Sequence, residues 1–425
     1  MDSHVTAAAR AEEAPAASAA SAAGAAVAAA EARKAAPGAA TALAIACLAN
    51  FVPNYAQYQA SPLGTELMEM LAINESQYSL LFTAPMIPAI FLSMVGGLLI
   101  DKLGPKRVVG VALCVTCAGC VLRVFAQSYA LMMVGTMLTG LTACFLTSGA
   151  SKILAGYYGP EGVGSKMGIF TAASTLGMTV ALATTAFLGS VTVAFTISAV
   201  LSAVACALWI LVLKDPPADE GAGEAAAGAP TISQCLKVVL RSRNVWMVSL
   251  SLAFILAANV VVGSFAPTAL AANGISSEAS GIITSCYTLG NLAGCFTAPF
   301  LVEKLGGRRK PVLLAYAVLA AVGVAFGWRP GNAVVAAVCM FLTGNFVGGI
   351  IPMCYAMPVT FPEVGATYAG TAGGVLTTVQ VLGAILLPSY VFTPLAAGEY
   401  SVIFLFGGAS MLVAAVFLAL IRLDE

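Results

Sequence analysis

The chain has 425 residues, 60% of them hydrophobic and only 9% charged, with a formal net charge of zero. A soluble domain carries about 25% charged residues, so there is too little charge here to cover a water-facing surface. No basic block offers a nucleic-acid footprint, and apolar runs along the whole length point to an all-α membrane protein with little soluble mass.

Residues 1–37 are rich in Ala, with Pro, Gly, Glu and Arg interspersed. The apolar core and cleavage site of a signal peptide are not evident, so this stretch reads as a disordered cytoplasmic tail. The lone histidine, His4, lies in it, which argues against a histidine relay or metal cluster.

A spanning helix needs about 20 mostly apolar residues. By that rule the first half holds spans near 39–60, 78–99, 108–126, 131–155, 168–189 and 193–213. The second half holds spans near 245–266, 279–301, 311–328, 333–358, 367–390 and 401–421. Between the groups lies a polar stretch containing DPPADEGAGEAAAGAP. The expected organisation is therefore a tail (1–37), a six-helix bundle (38–213), a cytoplasmic linker (214–243) and a second six-helix bundle (244–425).

The first span ends in LANFVPNYAQYQA, where Asn50, Asn54, Gln57 and Tyr58 share one helical face. Turned to lipid, each unsatisfied amide would be costly. The stripe must face neighbouring helices, as polar glue, or a hydrated cavity, where it would offer a neutral hydrogen-bonding wall. Pro53 removes a backbone donor there and permits bending.

After the second span comes GLLIDKLGPKR, Gly97 to Arg107, and its IDKLGPKRVV recurs as VEKLGGRRKP, Val302 to Pro311. The offset is 303 − 101 = 202 residues, and the same shift pairs Pro160-Glu161 with Pro362-Glu363. MLTG at Met137 and FLTG at Phe341 match at an offset of 204. Two homologous halves explain this, and parallel repeats are a transporter architecture. Helices two and three must turn within about eight residues, for which Gly104 supplies the freedom. Asp101 at membrane depth needs a cationic or dipolar partner.

At these residues the chain resembles the major facilitator superfamily, whose loop between spans two and three reads roughly G-x-L-x-D-R/K-x-G-R/K-R/K. Gly97, Leu99, Asp101, Lys102, Gly104 and Lys106 match; Pro105 departs, with Arg107 supplying charge one place later. The second copy is looser, with Pro299 for the glycine and Glu303 for the aspartate. The resemblance covers about residues 39 to 421. It implies twelve transmembrane helices in two pseudo-symmetric six-helix bundles that rock about a midplane site. It implies a latch of Gly97, Asp101, Gly104, Lys106 and Arg107, with Glu303, Gly306 and Arg308 as its second copy. Asp101 would meet the start of helix eleven near Thr367, whose exposed N–H groups favour an anion. In the family, helices one, four, seven and ten line the path. That adds Thr139, Thr142, Asn259 and Asn345 to the substrate-facing candidates, with Asn291 and Gln380 from helices eight and eleven.

Orientation follows from Lys and Arg, which stay on the cytoplasmic side. With both termini inside, seventeen fall inward, including Lys152, and only Arg123 and Arg329 fall outward. Lys152 and Arg123 read as side chains snorkelling to the interface, with contact to an anionic substrate as the alternative. No carboxylate lies in the middle of a span, which argues against proton coupling through a buried acid. Cys114, Cys117 and Cys120 share a helical face but lack His or carboxylate neighbours, so they read as packing. Thr136 stands where drug–proton exporters of the superfamily carry Arg, nitrate porters' arginines are missing, and no phosphate-binding G-x-x-x-x-G-K-S/T occurs.

The expectation is a non-enzymatic, cofactor-free, monomeric carrier in the cytoplasmic membrane, multi-pass, without nucleic-acid partners. It would move a small polar metabolite, an organic anion among the candidates, with a coupling ion or counter-substrate left open. The rivals are a drug or xenobiotic efflux carrier and a non-transporting membrane sensor or scaffold.

Overall fold

The structure is a computed structural model that describes residues 38–213, 232–306 and 308–421. The expected tail, and the linker up to residue 231, lie outside the described residues. The first half begins with α1 (Ala39–Tyr58), a short α2 (Gly64–Leu71), α3 (Glu75–Thr83) and α4 (Ile87–Leu103). It continues with α5 (Pro105–Phe125), α6 (Tyr129–Thr139), α7 (Leu141–Thr184) and α8 (Val191–Leu211). The second half has α9 (Ile232–Arg241), α10 (Arg243–Ala272), α11 (Ser277–Lys304), α12 (Arg309–Phe326) and α13 (Ala333–Ala356). It closes with α14 (Gly365–Leu387), α15 (Thr393–Ala396) and α16 (Tyr400–Leu420).

Polar caps start many of these helices. Asn74 accepts from the Gln77 amide at 2.9 Å while Gln77 Oε1 accepts from the Asn74 amide, a reciprocal box at the head of α3. Ser128, Ser242, Ser276 and Asn332 accept first-turn amides of α6, α10, α11 and α13.

Among the described residues, ten segments are long and apolar enough to cross a membrane. The helices at the second expected span of each half fall outside that set. One is divided into α3 and α4 by a 3-10 turn at Ala84–Met86, so neither part has full length. The other, α11, has 28 residues but carries Thr284, Ser285, Thr288 and Asn291. Two further expectations differ. The connection between the fourth and fifth spans is helical throughout, inside the 44-residue α7, despite its glycines and Pro160; context overrides propensity there. Residues 232–241 of the expected linker form α9.

The repeat reappears in the packing. In the first half α1 packs on α7, and α5 on α8; in the second, α10 packs on α14, and α12 on α16. The two turns that follow the second span of each half both place a glycine at positive φ, Gly104 at +83° and Gly306 at +70°. These positions differ by 306 − 104 = 202 residues, and an L side chain would be strained at either. A second pair sits deeper. A Cβ on Gly140 would strike the carbonyl of Pro85, and a Cβ on Gly344 that of Tyr287. Pro85 and Tyr287 are again 202 apart, and the glycines 204 apart. Small residues thus let backbones touch at equivalent places in both halves.

Candidate functional site

The polar stripe of α1 does two different things. Asn50 Nδ2 donates to the Phe170 carbonyl of α7 at 2.8 Å, and Gln57 Nε2 to the Phe82 carbonyl of α3 at 3.1 Å. Gln59 Nε2 donates to the Ala194 carbonyl of α8 at 2.9 Å. These amides fasten α1 to three neighbours, which answers much of the cost of placing them in an apolar segment. Asn54 instead bonds back to the Asn50 carbonyl at 2.8 Å, one residue past Pro53. Asn50 and Asn54 are half-buried. The expected hydrated wall is corrected at Gln57 and Tyr58, which are 8% and 7% exposed and held in packing. The Tyr58 ring stands edge-on to Phe82 at 5.3 Å.

Thr139 and Thr142 are likewise fully buried rather than open to a path. Thr142 Oγ1 lies 2.7 Å from Thr116 Oγ1, and Thr139 Oγ1 donates to the Thr136 carbonyl. Asn345 Nδ2 donates to Thr297 Oγ1 at 3.0 Å, and Tyr316 donates to the same oxygen. The Asn291 amide oxygen abuts Gly348 of α13. Both asparagines therefore sit on the α11–α13 contact. Gln380 Oε1 accepts from Tyr355 at 3.2 Å beside Thr377, bridging α13 and α14. Asn259 is half-buried on α10. No hydrogen bond among the described residues joins the α1 stripe to Asn259, Asn291, Asn345 or Gln380.

What does join the halves is a set of hydroxyls absent from the expected residues. Tyr78 donates to the carbonyls of Ala60 (3.0 Å) and Ser264 (3.1 Å), and its ring meets Phe265. Ser61 donates to the Ser264 carbonyl at 3.4 Å, and Ser389 to Ser79 Oγ at 3.2 Å. Ser76 pairs with Thr393 at 2.9 Å, and Thr179 with Thr288 at 2.6 Å. A Cβ on Gly281 would strike the Leu182 carbonyl across the same seam. The Thr179–Thr288 pair lies deeper, 288 − 277 = 11 residues past the start of α11, whereas most of these contacts lie where α1 terminates. The short α2 packs against α10 there, with Leu67 buried and Glu66 and Glu69 turned outward. Serine, threonine and tyrosine near span ends are too common to single out from sequence.

Arg123 corrects a second expectation. It does not snorkel: it is 2% exposed, with Nη1 donating to the Ala56 carbonyl at 2.8 Å and its guanidinium 3.9 Å over the Phe195 ring. Past Ala56 the helical ladder ends, since the Ala60 amide bonds to Gln57 instead. The cation therefore satisfies an orphan carbonyl at the negative end of α1.

At the opposite end lies the short loop between α4 and α5. Gly97 is helical and Gly104 makes the turn. The side chains of Asp101, Lys102, Lys152 and Thr367 fall outside the described residues, so the expected latch is not seen; α14 does begin at Gly365. The Lys106 carbonyl accepts from Trp209 Nε1 at 3.0 Å, and Arg107 is exposed. Glu303 and Arg308 are exposed beside Gly306. No cluster able to hold a metal ion occurs among the described residues.

The family model of the Major Facilitator Superfamily matches residues 38–388. The chain belongs to this superfamily. A nucleoside transporter, NupG, superposes with a TM-score of 0.74 at 15% identity, over 90% of this chain and 100% of that one. A bacterial homologue of the human lysosomal transporter Spinster, inward-facing and unoccupied, superposes with a TM-score of 0.69 at 15% identity, over 91% and 96%. An uncharacterised protein of Archaeoglobus fulgidus is 30% identical over 155 residues, 35% of this chain and 67% of that protein. The superfamily assignment makes the chain a multi-pass membrane transporter, not an enzyme. It also implies a transported substrate.

Proposed function

We propose that the protein is a secondary carrier for a small polar metabolite, working by alternating access between two six-helix bundles. The observation that carries this reading is the seam: of the hydrogen bonds described between the halves, four gather where α1 terminates and Thr179–Thr288 lies deeper. Halves fastened near one end by neutral hydroxyls can part there when they close at the other. In this reading the distribution of Lys and Arg favours the fastened end outside and both termini in the cytoplasm, and this conformation opens inward. Half-buried Asn54, Asn259 and Gln380 are the substrate contacts in this reading, all neutral donors and acceptors. Asp101 and its neighbours latch the inner end in the opposite conformation.

The test is a thermal-shift screen of the purified protein against pooled polar metabolites, followed by uptake of the hits into vesicles with and without a pH gradient. A stabilising metabolite should be taken up, and the Asn54→Ala and Asn259→Ala variants should lose uptake while remaining folded. Stabilisation only by amphipathic drugs, with uptake unaffected by both variants, would overturn the reading.

A further inference from the structure

A groove of about 380 Å³ runs along the wall of the first half, between α4, α5 and α7. Leu92 and Leu99 of α4, Val111 and Val115 of α5, and Phe145 of α7 line its length. Val111 is 66% exposed there. The α5 and α7 walls lie inside segments long and apolar enough to cross a membrane, so hydrocarbon bathes them. One end differs. There the lining includes Arg107, an exposed guanidinium in the first turn of α5.

The turn that presents Arg107 is held in place. Gly104 sets the reversal with its positive φ, and Trp209 clamps the Lys106 carbonyl. The first turn of α5, which carries Arg107, has no side-chain cap, so the positive helix end adds to the charge beside it. Leu92 and Leu103, which line the groove from α4, are 103 − 92 = 11 helical steps apart, about 16 Å at the helical rise of about 1.5 Å.

We propose that this groove holds an acyl chain of an anionic phospholipid, with the lipid phosphate on Arg107. The occupant has to be apolar along most of its length and negative at one end, and it has to come from the bilayer. Phosphatidylglycerol meets all three conditions. Phosphatidylcholine offers the same chains but neutralises its own phosphate, so it gains less from the guanidinium. The proposal does not depend on what the protein transports.

The test uses the full chain, reconstituted in vesicles of equimolar phosphatidylcholine and phosphatidylglycerol, then released in mild detergent for native mass spectrometry. Wild type should retain phosphatidylglycerol in preference to phosphatidylcholine. Arg107→Gln should cut phosphatidylglycerol retention about fivefold, the worth of one basic residue at a lipid surface, while Arg107→Lys keeps part of it. Val111→Trp, which fills the groove, should lower retention of both lipids. Equal retention of the two lipids by wild type would overturn the proposal. So would unchanged phosphatidylglycerol on Arg107→Gln, or a lipid-free dimer. Arg107 is exposed, so its variants keep the proposal falsifiable even if Val111→Trp fails to fold.

Discussion

Arg123 illustrates how a single side chain can carry an element. Its guanidinium takes the place of the backbone donor that α1 lacks past Ala56, and the Phe195 ring covers its other face. Removing it leaves a buried carbonyl unpaired, a loss of about 1–3 kcal/mol, and opens a void against Phe195. Arg123→Gln should therefore lower the denaturant midpoint of the purified protein. Arg123→Lys should lower it less, since it keeps the charge but not the planar stack. Equal stability of Arg123→Gln and wild type would show that the carbonyl has another donor. The sequence places this arginine near a span end, where snorkelling is the usual outcome. The opposite result depends on α8 bringing Phe195 over it, a long-range contact that no local pattern announces.

At the scale of the helix, glycines decide which elements can touch. Gly290 and Gly294 of α11 face Gly344 and Gly348 of α13, and a Cβ on any of the four would strike backbone of the facing helix. The Asn345–Thr297 pair joins the two helices beside this contact. Gly344→Leu should force α11 and α13 apart and abolish a monodisperse peak in size-exclusion chromatography. Gly331→Leu, with open space at its Cβ, should leave the peak intact. A monodisperse Gly344→Leu variant would mean the contact can slide. The repeat of MLTG and FLTG is visible in the sequence, and so is the need for a turn at Gly104 and Gly306. The partner carbonyls, Pro85 and Tyr287, are not. Proline at a 3-10 break and tyrosine in a helix share no chemistry, only a place in the fold.

For the whole molecule, composition and the internal repeat make the superfamily readable before any coordinates. The candidate site is less legible. Asparagine, glutamine and threonine in a span carry the same letters whether they bolt helices together or face a cavity. Gln57, Thr139 and Thr142 do the former. The seam is not legible in the sequence, because Ser79 and Ser389 gain meaning only when two halves meet. It can be tested directly. In a background with the native cysteines replaced, Ser79→Cys with Ser389→Cys should cross-link on mild oxidation, their oxygens lying 3.2 Å apart. The cross-link should stop uptake, and reductant should restore it. Uptake that persists in the cross-linked protein would mean the halves need not part there.

Hydroxyl groups at that seam exchange one partner for another with little gain or loss, roughly 0.5–1.5 kcal/mol apiece, because water stands ready to replace each of them. None titrates near neutrality, and none carries a charge for ions to screen. Acidity and ionic strength therefore leave these bonds untouched, and a solute can open this end only by binding more tightly where they are broken.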